Sequence, residues 1–98
     1  MLFRSNNGTY GTIRMHQERE YPARVSGTDL HNPDFAAMAR AFGLNGEIVT
    51  STVEFRPAFE RALAAKGSTL LELRIDPDAI TTRTTLSALR AQALSKQP

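Results

Sequence analysis

The chain has 98 residues, of which 41% are apolar, so it is long enough for one small domain with a hydrophobic core. Twelve basic and ten acidic residues leave a net charge of only +2, which is a weak electrostatic basis for binding nucleic acid. The absence of cysteine excludes disulfides and thiolate chemistry.

The sequence also lacks the features that would direct it to a membrane. No stretch approaches the run of about 18–20 apolar residues that a membrane span needs. The first residues do not contain the apolar core and cleavage site of a secretory signal peptide. We therefore expect a cytoplasmic protein without a membrane or nucleic-acid partner.

The first predicted elements are a turn and a helix. Residues 1–5 are too few for a strand of usual length, and a charged residue interrupts them. Residues 6–12 form a turn that leads into a helix, which we predict from residue 10 to about residue 19. Pro22 closes this helix, because proline disfavours a helical residue before it, and a loop follows at 23–31.

The clearest helix is predicted after the run Asn32-Pro33-Asp34, which supplies an N-cap, a first-turn proline and an acidic residue at the positive helix end. The apolar positions that follow have the spacing of one helical face, and we expect that face to be buried: Phe35, Met38, Ala39 and Phe42. Gly43 ends the helix.

Beyond this helix the pattern alternates between strands and helices. We predict a strand at 46–50, a helix at 55–66 with Pro57 in its first turn, and a strand at 69–75. Thr84 or Thr85 would cap a last helix. Short links between alternating elements indicate α/β packing around a mostly parallel sheet.

Residues 6–12, Asn-Asn-Gly-Thr-Tyr-Gly-Thr, are the stretch in which binding chemistry is concentrated. A helix N-terminus presents unsatisfied N–H groups and partial positive charge to an anion such as phosphate. A carboxamide oxygen beside them suits Mg²⁺, which prefers oxygen ligands. Asn-Gly is also a common turn dipeptide, so a purely structural turn is the other interpretation of the same residues.

Residues 6–18 resemble the end of the cofactor motif of thiamine-diphosphate enzymes in the acetolactate synthase-like group. In that family the motif opens with Gly-Asp-Gly and closes with paired asparagines. The similarity continues along most of the chain in further runs: Val25-Ser26-Gly27-Thr28-Asp29-Leu30, Asn32-Pro33-Asp34-Phe35, Glu54-Phe55, Pro57-Ala58-Phe59-Glu60 and Glu72-Leu73-Arg74-Ile75-Asp76-Pro77.

The resemblance implies a fold, cofactors and site residues. Residues 1–98 would be the C-terminal part of a domain that binds thiamine diphosphate and Mg²⁺, with a last helix and tail at 79–98. The fold would be α/β, a partial three-layer α/β/α domain truncated at its N-terminus. Asn7 would bind Mg²⁺ through its side-chain oxygen and Thr9 through its carbonyl, while Tyr10, Gly11 and Thr12 would face the diphosphate. The aspartate of Gly-Asp-Gly, a third metal ligand in the family, is absent from this sequence.

The resemblance also implies an activity that needs other domains. In the family the substrates are 2-oxo acids, and the reactions are decarboxylation, carboligation or both. A glutamate on a different domain activates the cofactor, so we expect no catalytic residue here and no turnover by this chain alone. The intact enzyme would be a homo-oligomer, a dimer or a tetramer. The non-enzymatic alternative is a small α/β interaction module or a truncated gene product.

The sequence departs from acetolactate synthases proper, which carry a methionine and a Gln-Trp-Gln run after the asparagines. It has Ile13-Arg14-Met15-His16-Gln17 there and no tryptophan. A related carboligase or 2-oxo acid decarboxylase therefore fits as well. We interpret His16 as an exposed helical residue rather than a proton carrier. Three arginines could steer an anion or form a solvated face: Arg14, Arg19 and Arg24.

Overall fold

The computed structural model describes residues 1–98. Its seven elements are, in chain order, β1 (Leu2–Asn6), α1 (Gly11–Glu20), α2 (Phe35–Ala41), β2 (Asn45–Val49), α3 (Thr52–Ala64), β3 (Thr69–Arg74) and α4 (Leu86–Ser95). The chain divides into two compact units. The first contains Met1–Asn6 and Asn32–Ile75, and the second contains Asn7–His31 and Asp76–Pro98. None of the helices is long and apolar enough to cross a membrane.

The first unit is built on a three-stranded parallel sheet with the strand order β1-β3-β2. Leu70 of the central strand β3 pairs with Leu2 on one side and with Gly46 on the other. Parallel neighbours cannot be joined by a tight hairpin, and α3 supplies the crossover between β2 and β3. The predicted α/β class with a mostly parallel sheet is confirmed.

The two helices of this unit cover opposite faces of the sheet. Successive side chains of β3 point to opposite faces. On the face that α3 covers, the buried core consists of Val49, Ala58, Ala62 and Leu71. On the face that α2 covers, the backbones approach closely, since a Cβ added to Gly46 would lie 2.2 Å from the Ala36 carbonyl oxygen. The first unit therefore has α/β/α layering.

The second unit contains α1 and α4, which pack against each other. A buried carboxylate lies between them: Glu18 of α1 is fully buried and forms an ion pair with Arg90 of α4. Thr85 is the N-cap of α4, and its hydroxyl accepts a hydrogen bond from the Ala88 N–H at 3.1 Å. The predicted last helix and one of its two predicted caps are therefore confirmed.

The prediction for residues 1–5 was wrong, because β1 is a regular five-residue strand. Its register with β3 runs from Leu2 opposite Leu70 to Asn6 opposite Arg74. Pairing with the central strand satisfies the backbone of this short segment, and no local pattern in residues 1–5 contains that information.

The predicted buried face of α2 was also wrong in part. Ala36 and Ala39 are the buried residues of this helix, whereas Met38 is 43% exposed and Phe42 is 76% exposed. Because α2 lies so close to the backbone at Gly46, the interface has room for alanine and not for larger side chains.

Two helix starts differ from the prediction. Asp34, and not Asn32, is the N-cap of α2, where its carboxylate accepts a hydrogen bond from the Ala37 N–H at 2.8 Å. The third helix begins at Thr52, so Pro57 lies inside it rather than in the first turn. The Glu54 carboxylate reaches back to accept the Thr50 N–H at 2.9 Å, and this contact stabilises the earlier start.

Candidate functional site

The turn that begins at Asn7 lies directly before α1. Asn7 Oδ1 accepts a hydrogen bond from the Thr9 backbone N–H at 3.2 Å, as in an Asx turn. Gly8 has a φ of +70°, a left-handed conformation that glycine adopts without steric cost. The Asn-Gly dipeptide is therefore a structural turn, and this turn also brings a carboxamide oxygen to the start of a helix.

A second loop segment of the same unit holds the turn in place. Thr9 Oγ1 donates to the Thr28 carbonyl at 2.7 Å, and the Tyr10 N–H donates to the same oxygen at 2.8 Å. The Leu30 N–H donates to the Gly8 carbonyl at 2.9 Å. Because Thr9 and Thr28 are buried, water does not compete for these bonds, and the turn has a fixed conformation.

The N-terminus of α1 has no side-chain cap. Tyr10 occupies the N-cap position without a side-chain capping hydrogen bond, and the first turn contains no acidic residue. No side chain of the first turn therefore neutralises the partial positive charge of the leading N–H groups. Such a helix end favours the binding of phosphate groups.

Gly11 brings the Asn7 carboxamide against this helix end. A Cβ added to Gly11 would lie 3.0 Å from Asn7 Nδ2 and 3.1 Å from Ile80 Cδ1. The close approach of these two side chains explains why the first residue of α1 has no side chain of its own. Asn7 and the start of α1 are therefore neighbours in space as well as in sequence.

All five residues predicted for cofactor binding lie in this turn and in the first turn of α1. Asn7 is half-buried, Thr9 and Gly11 are buried, and Tyr10 and Thr12 are exposed. The structure brings the two predicted metal ligands and the predicted diphosphate-binding segment together in one unit. Their roles as ligands stay predictions.

Arg14 is the charged residue of α1 that lies nearest to its N-terminus in sequence. Its Nη1 pairs with Asp29 Oδ1 at 3.3 Å, and its Nε is buried without a hydrogen-bond partner. The Asp29 side chain is 89% exposed, so this ion pair contributes little stability. Arg14 is therefore half-buried and paired with Asp29, whereas Arg19 and Arg24 lie on exposed positions.

No group of three or more His, Cys, Asp or Glu side chains is arranged to hold a metal ion. His16 is exposed, and Glu18 is buried in its ion pair with Arg90. A metal ion at the start of α1 would therefore be held by carboxamide and backbone oxygens. Mg²⁺ accepts this set of hard oxygen ligands and keeps several waters in addition.

The ion pair between Glu18 and Arg90 was missed from the sequence. Glu18 Oε2 accepts from Arg90 Nε at 2.8 Å and from the Ala23 N–H at 3.0 Å. The Arg90 guanidinium holds the pKa of Glu18 below its ordinary value of 4.5, although burial acts in the opposite direction. The partners are 72 residues apart, and the only local signal is an arginine among the apolar residues of α4.

Comparison with known proteins identifies the relatives of this chain. Residues 2–73 match the family described as thiamine pyrophosphate enzyme, C-terminal TPP binding domain. The acetolactate synthase isozyme 2 large subunit of Escherichia coli is 35% identical over 72 residues, which are 72% of this chain and 13% of that protein. The mitochondrial catalytic subunit of acetolactate synthase from Saccharomyces cerevisiae is 35% identical over 71 residues, which are 72% of this chain and 10% of that protein.

The fold is therefore that of an α/β cofactor-binding domain. The match covers most of the chain, including β1, β2, nearly all of β3 and the turn before α1. The chain belongs to the thiamine pyrophosphate enzymes, in the family of their C-terminal TPP-binding domain, and it is acetolactate synthase-like. It spans 13% or less of the length of these two relatives. Thiamine pyrophosphate and thiamine diphosphate are two names for the same cofactor.

Proposed function

We propose that this chain contributes the Mg²⁺- and diphosphate-binding part of an enzyme that acts on 2-oxo acids by decarboxylation, carboligation or both. The observation that carries the proposal is the position of the Asn7 carboxamide against Gly11 at the uncapped start of α1. This arrangement offers an oxygen ligand and anion-binding N–H groups at one place. The similarity to acetolactate synthases supports the substrate class.

Each residue of the site has a defined role in the proposal. Asn7 Oδ1 and the Thr9 carbonyl bind Mg²⁺, and the N–H groups of Gly11 and Thr12 donate to the diphosphate. Tyr10 flanks the diphosphate at the N-cap position, since its own N–H already donates to the Thr28 carbonyl at 2.8 Å. Asn7 Oδ1 accepts one long hydrogen bond of 3.2 Å, so it keeps lone-pair capacity for a metal ion. The bound cofactor supplies the carbanion chemistry, while these residues hold and orient it.

We assign no catalytic residue to this chain, and we expect it to show no turnover by itself. An isolated preparation that decarboxylated pyruvate above a metal-free control would contradict this expectation. We further propose that the intact enzyme is a cytoplasmic homo-oligomer without a nucleic-acid or membrane partner.

Ligand-linked stabilisation tests the proposed site. A ligand that binds only the folded chain adds about 2.7 kcal/mol to its free energy of unfolding at a hundredfold excess over Kd. We expect thiamine diphosphate with Mg²⁺ to raise the Tm of the chain. The variant Asn7→Ala should lose the Mg²⁺-dependent part of this shift. The matched control Asn45→Ala removes a carboxamide of the first unit that donates to the Lys66 carbonyl at 3.0 Å, and it should keep the shift.

A second readout locates the metal ion directly. Mn²⁺ occupies the same kind of oxygen site as Mg²⁺ and broadens the NMR signals of nearby nuclei. With thiamine diphosphate present, Mn²⁺ should broaden the signals of Asn7 and Thr9 before those of Asn45. Equal Tm shifts in the unsubstituted chain and Asn7→Ala, or no shift in either, would contradict the proposed site.

A non-catalytic interaction module is the second candidate function, and an exposed aromatic cluster favours it. The ring centroids of Phe3, Phe55 and Phe59 lie 5.8 to 6.3 Å apart in the first unit. Phe3 is 46% exposed and Phe55 is 36% exposed, and clustered apolar surface of this kind marks contact with another protein surface. A module of this kind would show no Tm response to Mg²⁺ and thiamine diphosphate, so the same measurement separates the two candidates.

A further inference from the structure

Glu72 is a fully buried carboxylate in the central strand β3 of the first unit. Its Oε1 accepts from Asn6 Nδ2 at 2.7 Å and pairs with Arg74 Nε at 3.0 Å. Its Oε2 is buried without a hydrogen-bond partner. Burying a carboxylate and leaving one oxygen unpaired are both costly, so packing alone does not account for an acid at this position.

The main consequence of Glu72 is that Asn6 has a single side-chain orientation. Asn6 is 8% exposed, and its Oδ1 accepts a hydrogen bond from Asn32 Nδ2 at 2.7 Å. A carboxylate accepts hydrogen bonds and cannot donate them, so it must face the Asn6 amide nitrogen rather than the oxygen. Rotating the carboxamide by half a turn would place its oxygen against the carboxylate and its nitrogen against the Asn32 donor. The acceptor oxygen of Glu72 therefore selects one of the two amide orientations.

This network lies at the carboxyl end of the parallel sheet. Asn6 is the last residue of β1, and it pairs in register with Arg74, the last residue of β3. Asn6 is also joined by one peptide bond to Asn7, the proposed Mg²⁺ ligand. A residue that restrains Asn6 therefore restrains the backbone from which the ligand residue begins.

We propose that Glu72 is a positioning residue for the Mg²⁺ site: it acts through Asn6, whose carboxamide it holds together with Asn32, to fix the start of the ligand-bearing turn. This inference rests on the proposed function. Groups that orient metal ligands without touching the metal are expensive to remove, and their loss typically weakens metal binding by about 10- to 100-fold. Since Glu72 acts through a residue next to the ligand, we expect an effect at the lower end of this range.

The test compares two substitutions of Glu72. Glu72→Leu removes the acceptor for Asn6 Nδ2, whereas Glu72→Gln retains a neutral oxygen acceptor of the same length. Mg²⁺ is titrated at a fixed excess of thiamine diphosphate, and the Tm shift gives the half-saturating Mg²⁺ concentration. We expect an increase of about tenfold for Glu72→Leu, and a value much nearer that of the unsubstituted chain for Glu72→Gln. The matched control Glu60→Leu removes an exposed acid of α3 and should leave the half-saturating concentration unchanged.

A second variant and a second measurement keep the proposal testable if Glu72→Leu does not fold. Asn32→Ala removes the donor at the other end of the Asn6 carboxamide, and it should also raise the half-saturating Mg²⁺ concentration several-fold. The side-chain amide NMR signals of Asn6 report its orientation without any ligand. The chemical shifts of these signals should change in Glu72→Leu and in Asn32→Ala, and should be unchanged in Glu60→Leu.

The outcomes separate this inference from the proposed function. If the unsubstituted chain responds to Mg²⁺ but the half-saturating concentration is the same in Glu72→Leu and Asn32→Ala, the positioning role is refuted and the site is not. Unmoved Asn6 amide signals in both variants also refute it. If the unsubstituted chain shows no response to Mg²⁺ and thiamine diphosphate, the proposed function fails first, and the positioning role falls with it.

Discussion

Substituting the two partners of the buried ion pair between Glu18 and Arg90 should lower the stability of the chain by unequal amounts. Glu18 is fully buried, whereas 38% of the Arg90 side chain is exposed. Removing one partner of a fully buried pair costs about 3–5 kcal/mol, because the remaining charge is left without water or a counter-charge. Arg90→Met leaves such a charge on Glu18, so we expect it to lower the free energy of unfolding by about 3 kcal/mol or more. Glu18→Gln leaves the charge on Arg90, which reaches solvent, and we expect a smaller loss of about 1–2 kcal/mol.

A double-mutant cycle measures the pair itself. Urea unfolding followed by far-UV circular dichroism would be compared for the unsubstituted chain, the two single variants and the double variant. We expect a coupling energy of about 2 kcal/mol between Glu18 and Arg90. The matched control is the exposed pair of Arg56 and Glu60, whose Nε and Oε1 atoms are 3.0 Å apart, with an expected coupling of about 0.5 kcal/mol or less.

The asymmetry between the two single variants is the part of this prediction that is most easily refuted. If Glu18→Gln costs as much as Arg90→Met, the difference in burial between the partners does not govern their contribution. If the coupling energy between Glu18 and Arg90 is no larger than that between Arg56 and Glu60, the buried ion pair does not stabilise the packing of α1 against α4.

The same pair predicts how stability depends on pH. The pKa of Glu18 lies below its ordinary value of 4.5, chiefly because Arg90 donates to its carboxylate. The folded chain therefore binds this proton more weakly than the unfolded chain. The contribution of the Glu18 carboxylate to the free energy of unfolding is complete above about pH 5 and is lost as the pH falls through the lowered pKa. Urea midpoints should thus fall more steeply with acidification in the unsubstituted chain than in Glu18→Gln, and parallel curves would exclude a role for this carboxylate.

Three further substitutions test local geometry. Gly46→Ala would place a Cβ 2.2 Å from the Ala36 carbonyl oxygen, so urea unfolding should show that the free energy of unfolding falls by about 2 kcal/mol or more. A decrease below about 0.5 kcal/mol would contradict the close packing of α2. Asp34→Ala removes the acceptor of the Ala37 N–H and should lower the free energy of unfolding by about 1 kcal/mol in the same measurement. Asp34→Asn keeps an oxygen acceptor at the N-cap and should retain most of this stability. Gly11→Ala crowds the ends of the Asn7 and Ile80 side chains, which can shift, so the variant should keep near-normal stability. It should raise the half-saturating Mg²⁺ concentration in the thermal assay. An unchanged Mg²⁺ dependence would show that this close approach is irrelevant to the site.

Elements with local signals could be predicted from the sequence, and elements that depend on distant partners could not. The helix that Thr85 caps and the two strands with β-branched and leucine runs begin and end close to their predicted positions. Phe42 illustrates the opposite case, since it has the spacing of a buried helical residue but is 76% exposed. The space beneath α2 is set by the backbone at Gly46 on another element, and periodicity along one helix carries no information about it.

The adjacent residues Asn6 and Asn7 show the same division within the candidate site. The surroundings of Asn7 are local: an Asn-Gly turn and the helix start that follows it could both be predicted, and the structure contains both. The surroundings of Asn6 come from distant parts of the sequence, because its carboxamide donates a hydrogen bond to Glu72, which is 66 residues away. Since a ligand set at a helix start depends on short-range turn chemistry, a sequence motif can reveal it. Glu72 and Asn32, which hydrogen-bond the Asn6 carboxamide, lie in another strand and in a loop, so their identification requires the fold.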